Sequence, residues 1–281
     1  QGDRSGSGGA TLPIGGMYDV DEFFMEVGIP VTNDISIDAG FRSAEYSTGN
    51  ETDSTKIGAY WSVNENLSLR GSFQTAQRHA SISELYSAVS DGLVDLDNDP
   101  CSIQQNGSAA TATQAQCAST GLAASLYNTD LNSPADQYNI KGGGNSLVSP
   151  EESESITIGA VITPESVPGL TLTIDYFDIS VEDGIGTVSA KTALDKCIST
   201  GTAQYCGLIN RMPGTGSLWL SGGYISQQLT NIGEESTSGL DVIFDYNMDT
   251  AYGPLALQGV TTVLDSFEII EIPGSAAITC A

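Results

Sequence analysis

Residues Pro150–Gly184 read PEESESITIGAVITPESVPGLTLTIDYFDISVEDG, and this stretch decides the fold. Ile156, Ile158, Ala160 and Ile162 share one face of an alternating segment. After a turn at Pro164–Gly169, Leu170, Leu172, Ile174 and Tyr176 do the same. The opposite faces carry Thr157, Gly159, Thr163, Thr171, Thr173 and Asp175. A period of two with one apolar and one polar face predicts antiparallel sheet wetted on one side. Such a sheet is either a sandwich layer or a barrel wall.

The pattern recurs outward from this hairpin. Ile35, Ile37, Ala39 and Phe41 alternate with Ser36, Asp38, Gly40 and Arg42. Leu67, Leu69, Gly71 and Phe73 alternate with Ser68, Arg70, Ser72 and Gln74. Leu240, Val242, Phe244 and Tyr246 alternate with Asp241, Asp245 and Asn247, and Leu255–Val263 repeats the theme more weakly. The polar face holds charge in mid-strand, at Asp38, Arg42, Arg70, Asp175, Asp241 and Asp245. Charge there would be stranded in a sandwich core. It suits the lumen of a membrane barrel whose apolar face meets lipid. The expected fold is therefore all-β: an antiparallel transmembrane β-barrel, partial, with about eight strands of a larger barrel. The strands fall roughly at 18–31, 35–48, 54–63, 67–77, 153–163, 170–183, 223–249 and 254–267, the seventh bent near Gly233.

Short connections at Pro30–Asp34, Asn64–Asn66, Pro164–Gly169 and Asp249–Pro254 alternate with longer ones at Thr48–Ser54, Arg78–Glu152 and Gly184–Gly222. That asymmetry is typical of outer-membrane barrels, whose long loops face outside. The loop 78–152 is too long for a plain connection in a compact domain. Its Ser81–Ser87 segment suits a helical turn or two.

The chain holds 35 acidic and 9 basic residues for a net charge of −26 in 281 residues, which disfavours binding to nucleic acid. Solvated acidic loops are the plain reading of that excess. No run of 18 apolar residues supplies a transmembrane helix, a fact that leaves strands free to cross. Residues 1–16 form a polar, glycine-rich lead-in without a signal-peptide core, so the expected true start lies upstream. Cys101 and Cys117 share one polar loop, and Cys197 and Cys206 another. Two local disulfides in an oxidising compartment are expected. Cys280 is left over.

At this point the residues resemble a known family. NLSLRGSFQTAQRHASISELY (Asn66–Tyr86) is similar to a strand of TonB-dependent outer-membrane receptors that typically reads LRGSYSRAFRAPSISELY. Here Arg78-His79-Ala80 replaces the usual Arg-Ala-Pro. NSLVSPEESES (Asn145–Ser155) resembles NPDLKPEESES, and GLTLTIDYFDISVED (Gly169–Asp183) matches the family's next strand. Cys197–Asn210 and GLDVIFDY (Gly239–Tyr246) resemble a later loop and strand. The likeness covers about residues 17–280. It implies a receptor that imports a scarce nutrient, such as a ferric siderophore, cobalamin or an oligosaccharide, with TonB acting through a plug domain in a 22-stranded barrel. It implies outer-membrane lipid as solvent, a bacterial outer-membrane location, no cofactor and no catalysis. The plug is absent from this sequence, so an internal barrel fragment is expected, one that does not stand alone in water.

Candidate site residues follow. Trp219 and Tyr224 are the aromatics nearest the outer loops, and Glu151 and Glu152 begin a strand at the rim; these are the ligand-contact candidates. The mid-strand charges Arg42, Arg70, Asp38, Asp175, Asp241 and Asp245 face the lumen or the plug. Asp95, Asp97 and Asp99 are spaced as a hard cation would want, but the EF-hand positions hold Pro100 and Asn106. His79, the single histidine, reads as a solvated loop residue and not as a catalytic base. Two rival readings stand beside the receptor: a complete small barrel with a structural or adhesion role, and a soluble acidic calcium-dependent adhesin.

Overall fold

The computed structural model describes residues 13–270, 272 and 276–280; most of the lead-in lies outside them. In chain order the elements are β1 (Val20–Pro30), β2 (Ile35–Tyr46), β3 (Glu51–Asn64), β4 (Leu67–Arg78), α1 (Ile82–Tyr86), β5 (Ser90–Asp95), α2 (Gln114–Ser119), β6 (Gln137–Gly143), β7 (Glu151–Ile162), β8 (Leu170–Glu182), β9 (Ile185–Gly186), α3 (Ala190–Thr200), α4 (Ala203–Cys206), β10 (Ile209–Asn210), β11 (Tyr224–Gln228), β12 (Thr230–Asn231), β13 (Glu234–Thr250), β14 (Gly253–Ile270) and β15 (Ile278–Thr279). They fall into two compact units. One comprises residues 17–80, 149–184 and 231–281, the other residues 1–16, 81–148 and 185–230.

The first unit is a wall: one open sheet in the order β1-β2-β3-β4-β7-β8-β13-β14-β15, every neighbour antiparallel. Residues that pair directly share a face. One such row runs Ile29, Ile37, Ala59, Gly71, Ile158, Tyr176, Leu240 and Val263 across eight strands. Among them Ile29, Ile158, Leu240 and Val263 are exposed, so this apolar face covers no core of its own. The next row places Trp61, Leu69, Ala160, Ile174 and Val242 side by side on the same face. This is a partial β-barrel wall, with the fold class that the alternation predicts.

Local chemistry sets the tight ends. Thr32 Oγ1 accepts from the Asp34 and Ile35 amides and closes the β1–β2 turn. Asn64 Oδ1 accepts from the Asn66 amide in the next short turn. Gly169 holds φ +87°, and a Cβ there would lie 2.0 Å from the Asn247 carbonyl oxygen, so no other residue fits.

The second unit is built from the two long connections. Its sheet runs β10-β11-β6-β5, with β6 and β11 parallel. Helix α1 opens on a complete capping box of Ser81 and Glu84, and α2 on one of Thr113 and Gln116. Helix α3 starts at the Ser189 cap and stops at Gly201, whose φ is +67°. Both expected disulfides are present, Cys101–Cys117 and Cys197–Cys206, and Cys280 is free and exposed. Around the first disulfide a small core gathers Ala112, Leu122 and Leu131, with Leu126, Tyr127 and Ile198 packed against it.

Three expectations need correction. The seventh strand is not one bent strand: Gly233, at φ +58°, separates β13 from the 223–232 segment, and β11 joins the insertion sheet instead. The connection expected at Thr48–Ser54 tightens to Ser47–Asn50, because Gly49 takes φ +90° and β3 begins at Glu51. The third concerns His79, described below.

Candidate functional site

The polar face of the wall is laced with ion pairs. Four basic residues lie in the wall strands, and each meets a carboxylate across the sheet. Arg42 donates through Nε and Nη2 to Glu22 Oε2 (3.1 and 2.5 Å). Lys56 lies 3.2 Å from Asp38, and Arg78 Nε donates to Glu151 at 2.5 Å. Arg70 reaches furthest. It pairs in register with Gly159, which pairs with Asp175, and its guanidinium crosses that strand to bond Asp175 twice, at 2.8 and 2.6 Å. Gly159 is the opening that permits this: a Cβ there would lie 1.8 Å from Asp175 Oδ1. In the same row Asp241 accepts from Thr262 Oγ1 at 2.5 Å, and Asp245 follows four residues on along β13, on the same face. The expected lumen residues thus share one face, as the alternation predicts. A recess of ≈ 390 Å³ on the wall is lined by Glu22, Phe24, Glu26, Arg42, Lys56 and Gln74.

Glu151 and Glu152 do not work together. Successive strand residues point to opposite faces. Glu151 is held by Arg78 on the polar side, whereas Glu152 accepts from Gln77 Nε2 at 2.7 Å on the side of the apolar belt. There the belt gives way to Thr55, Thr75, Glu154 and Ser180, the row beyond Ile57, Phe73 and Ile156.

In the insertion unit, Arg211 is the organising residue. Its Nη1 and Nη2 donate to the Asp99 carboxylate at 2.6 and 3.0 Å, its Nε to Thr120 Oγ1, and Nη1 also to the Gly216 carbonyl. The side chains are 2% and 0% exposed. Asp99 further accepts from the Cys101 amide. Its carboxylate is therefore committed, and Asp95, Asp97 and Asp99 do not form a cation site; among the described residues no group of three such side chains does. Trp219 donates its indole N–H to the Leu131 carbonyl, which leaves the half-buried ring face for contact. Tyr224 lies under the Lys141 ammonium, 4.3 Å from the ring centre. Burial pushes the Tyr138 phenol upward.

His79 is not a solvated loop residue. It is buried, with its ring stacked on Tyr46 (centroids 3.9 Å apart, 29° between planes) and edge-on to Tyr18 (5.1 Å). Asn50 Nδ2 approaches Nδ1 at 3.4 Å and Thr48 Oγ1 lies 3.2 Å from Nε2. An amide donor on Nδ1 assigns the ring proton to Nε2, which then donates to Thr48. Burial, with help from the Arg78 charge, lowers its pKa. Sequence reasoning missed this site because its partners come from different strands: Tyr46 ends β2 and His79 follows β4, with β3 between them, and no local period links the two.

No curated protein sequence matches the chain. Among solved structures, it resembles the siderophore receptor PirA from Pseudomonas aeruginosa, with TM-score 0.50 and 11% identity over 90% of this chain and 36% of that one. The ferric enterobactin receptor of the same organism, in complex with enterobactin, aligns with TM-score 0.54 and 13% identity over 88% and 27%. The RagAB peptide transporter aligns with TM-score 0.53 and 13% identity over 92% and 23%. At such identities the likeness is one of fold. The chain spans 23–36% of the length of these proteins. Over residues 3–269 it matches the family described as TonB dependent receptor-like, beta-barrel. The chain belongs to the β-barrel family of TonB-dependent receptors.

Proposed function

We propose that this chain forms part of the wall and outer vestibule of a TonB-dependent receptor in the bacterial outer membrane. The receptor imports a scarce nutrient of the siderophore–iron, cobalamin or oligosaccharide type, energised by TonB through a plug domain. One observation carries the reading: a single sheet presents an exposed apolar row from Ile29 to Val263 on one face and the Arg70–Asp175 ion pair on the other. Lipid satisfies the first face, and water or a polar plug the second. In this reading the recess lined by Glu22, Phe24, Arg42 and Lys56 seats plug residues. The connections 78–152 and 184–222 face outside, where Trp219 and Tyr224 contact the ligand, with Glu151 on the polar side of the rim and Glu152 turned away from it. The protein binds and passes its ligand without making or breaking covalent bonds in it.

The two tryptophans test the placement. In bilayers containing brominated lipid, Trp61 fluorescence, read in W219F, should be quenched, while Trp219, read in W61F, should not. An unquenched Trp61 would sink the membrane reading. Uptake is tested in cells that depend on the receptor containing this chain. Radiolabelled ferric enterobactin or cobalamin should accumulate only when TonB is present. Accumulation without TonB rejects the energisation, and failure with both probes rejects those two ligand classes.

A further inference from the structure

The site around His79 has no part in the function proposed above, and it rests on one residue that departs from the family pattern. Where TonB-dependent receptors read Arg-Ala-Pro, this chain places the histidine between Arg78 and Ala80. Three separate segments close on its ring. Tyr18 comes from the approach to β1, Tyr46 from the end of β2, and Thr48 and Asn50 from the β2–β3 turn. Tyr18 and Tyr46 also meet edge-on, at 5.6 Å. The residue is 7% exposed.

We infer that His79 is a proton-sensitive clasp that holds the β1 approach, the β2–β3 turn and the end of β4 together when neutral and loosens them when protonated. As an acceptor, Nδ1 takes the Asn50 amide; once protonated it has no lone pair to offer, and that contact is lost. The new charge would sit among rings and hydroxyls in a site largely shielded from water. The charged and titratable groups around it do not offset this. Tyr18 and Tyr46 offer aromatic rings and hydroxyls, not carboxylates. Arg78 is a cation held by Glu151, and behind Tyr46 stands Arg42, a cation held by Glu22. Glu45 and Glu51, the flanking carboxylates, pair with each other in register on the opposite face of the sheet.

The sign follows from linkage. A histidine whose folded pKa lies below its ordinary 6.5 loses the competition for protons to the unfolded chain. Stability is therefore full above that pH and falls as pH drops below it.

Because His79 is the single histidine, its ring carbon gives one imidazole resonance in the chain reconstituted in lipid nanodiscs. The expected midpoint is below 6.5, with the Tyr18 and Tyr46 ring signals moving in step. H79F and H79Q, which cannot titrate there, should show a flatter loss of thermal stability between pH 7 and 5 than the parent. A midpoint at or above 6.5, tyrosine signals indifferent to the titration, or an equal acid-induced loss in the folded variant would overturn the clasp. H79Q keeps the comparison available if H79F does not fold.

Discussion

At the scale of single residues, the wall depends on where side chains are absent as much as on where they are present. Gly159 and Gly71 occupy the same strand-to-strand neighbourhood, yet they answer to different constraints. A Cβ at Gly159 would strike Asp175, whereas one at Gly71 meets the Thr157 carbonyl at 3.4 Å and Ile158 Cγ1 at 4.0 Å, ordinary contacts. G159A should therefore displace the Arg70–Asp175 bridge and cost about 1–3 kcal/mol, the range for overpacking. G71A should be near neutral. Urea unfolding of both variants in lipid vesicles reads the difference, and equal midpoints would show that the bridge does not need the gap. The buried pair of the insertion unit gives a second contrast. R211M strands the Asp99 carboxylate and should cost about 3–5 kcal/mol, while D99L/R211M recovers much of that. Hydrogen exchange of the amides in α3 and β11 reports both; a double variant no better than R211M would refute the account.

Elements sort by whether local pattern alone could foretell them. Removing Cys101–Cys117 by C101S/C117S frees a loop with a sequence separation of 16 and should destabilise the insertion unit by about 3 kcal/mol. Faster proteolysis within 81–148 would reveal it, with the wall strands still protected. The wall itself was legible because a strand's face is a local property: Ile156 to Ile162 and Leu170 to Tyr176 announce theirs in eight residues. The helical turn at Ser81–Ser87 was legible for the same reason. The core of the insertions was not. Asp99 and Arg211 are 112 residues apart, and neither sits in any period that points to the other. The acidic run 95–99 reads as an exposed acidic loop, with a cation site as the alternative, because the partner that buries Asp99 is remote. Likewise, the bend near Gly233 was visible, but not that β11 would leave the wall for a different sheet.

For the molecule as a whole, a sheet that among the described residues stays open, with an exposed apolar face and unpaired edges, requires a partner. β1 is exposed along its whole length, and β14 along most of it. Each large apolar side chain left in water forgoes roughly 1.5–3 kcal/mol of transfer free energy. Unpaired edges add the hazard of self-association. The chain should thus aggregate in detergent-free buffer and become monodisperse in detergent or lipid. Sedimentation velocity checks this: a discrete monomer without detergent contradicts it.

The insertion unit is interrupted along the chain by the hairpin of β7 and β8, and this fixes an order of events during biogenesis. The partner of Asp99 does not exist until that hairpin and the 185–230 segment have been synthesised. Each disulfide, in contrast, closes within its own insertion, over separations of 16 and 9 residues. Short-range closure is fast and long-range closure slow. Each disulfide can therefore close without the other insertion, whereas the Asp99–Arg211 pair forms only when both insertions are present.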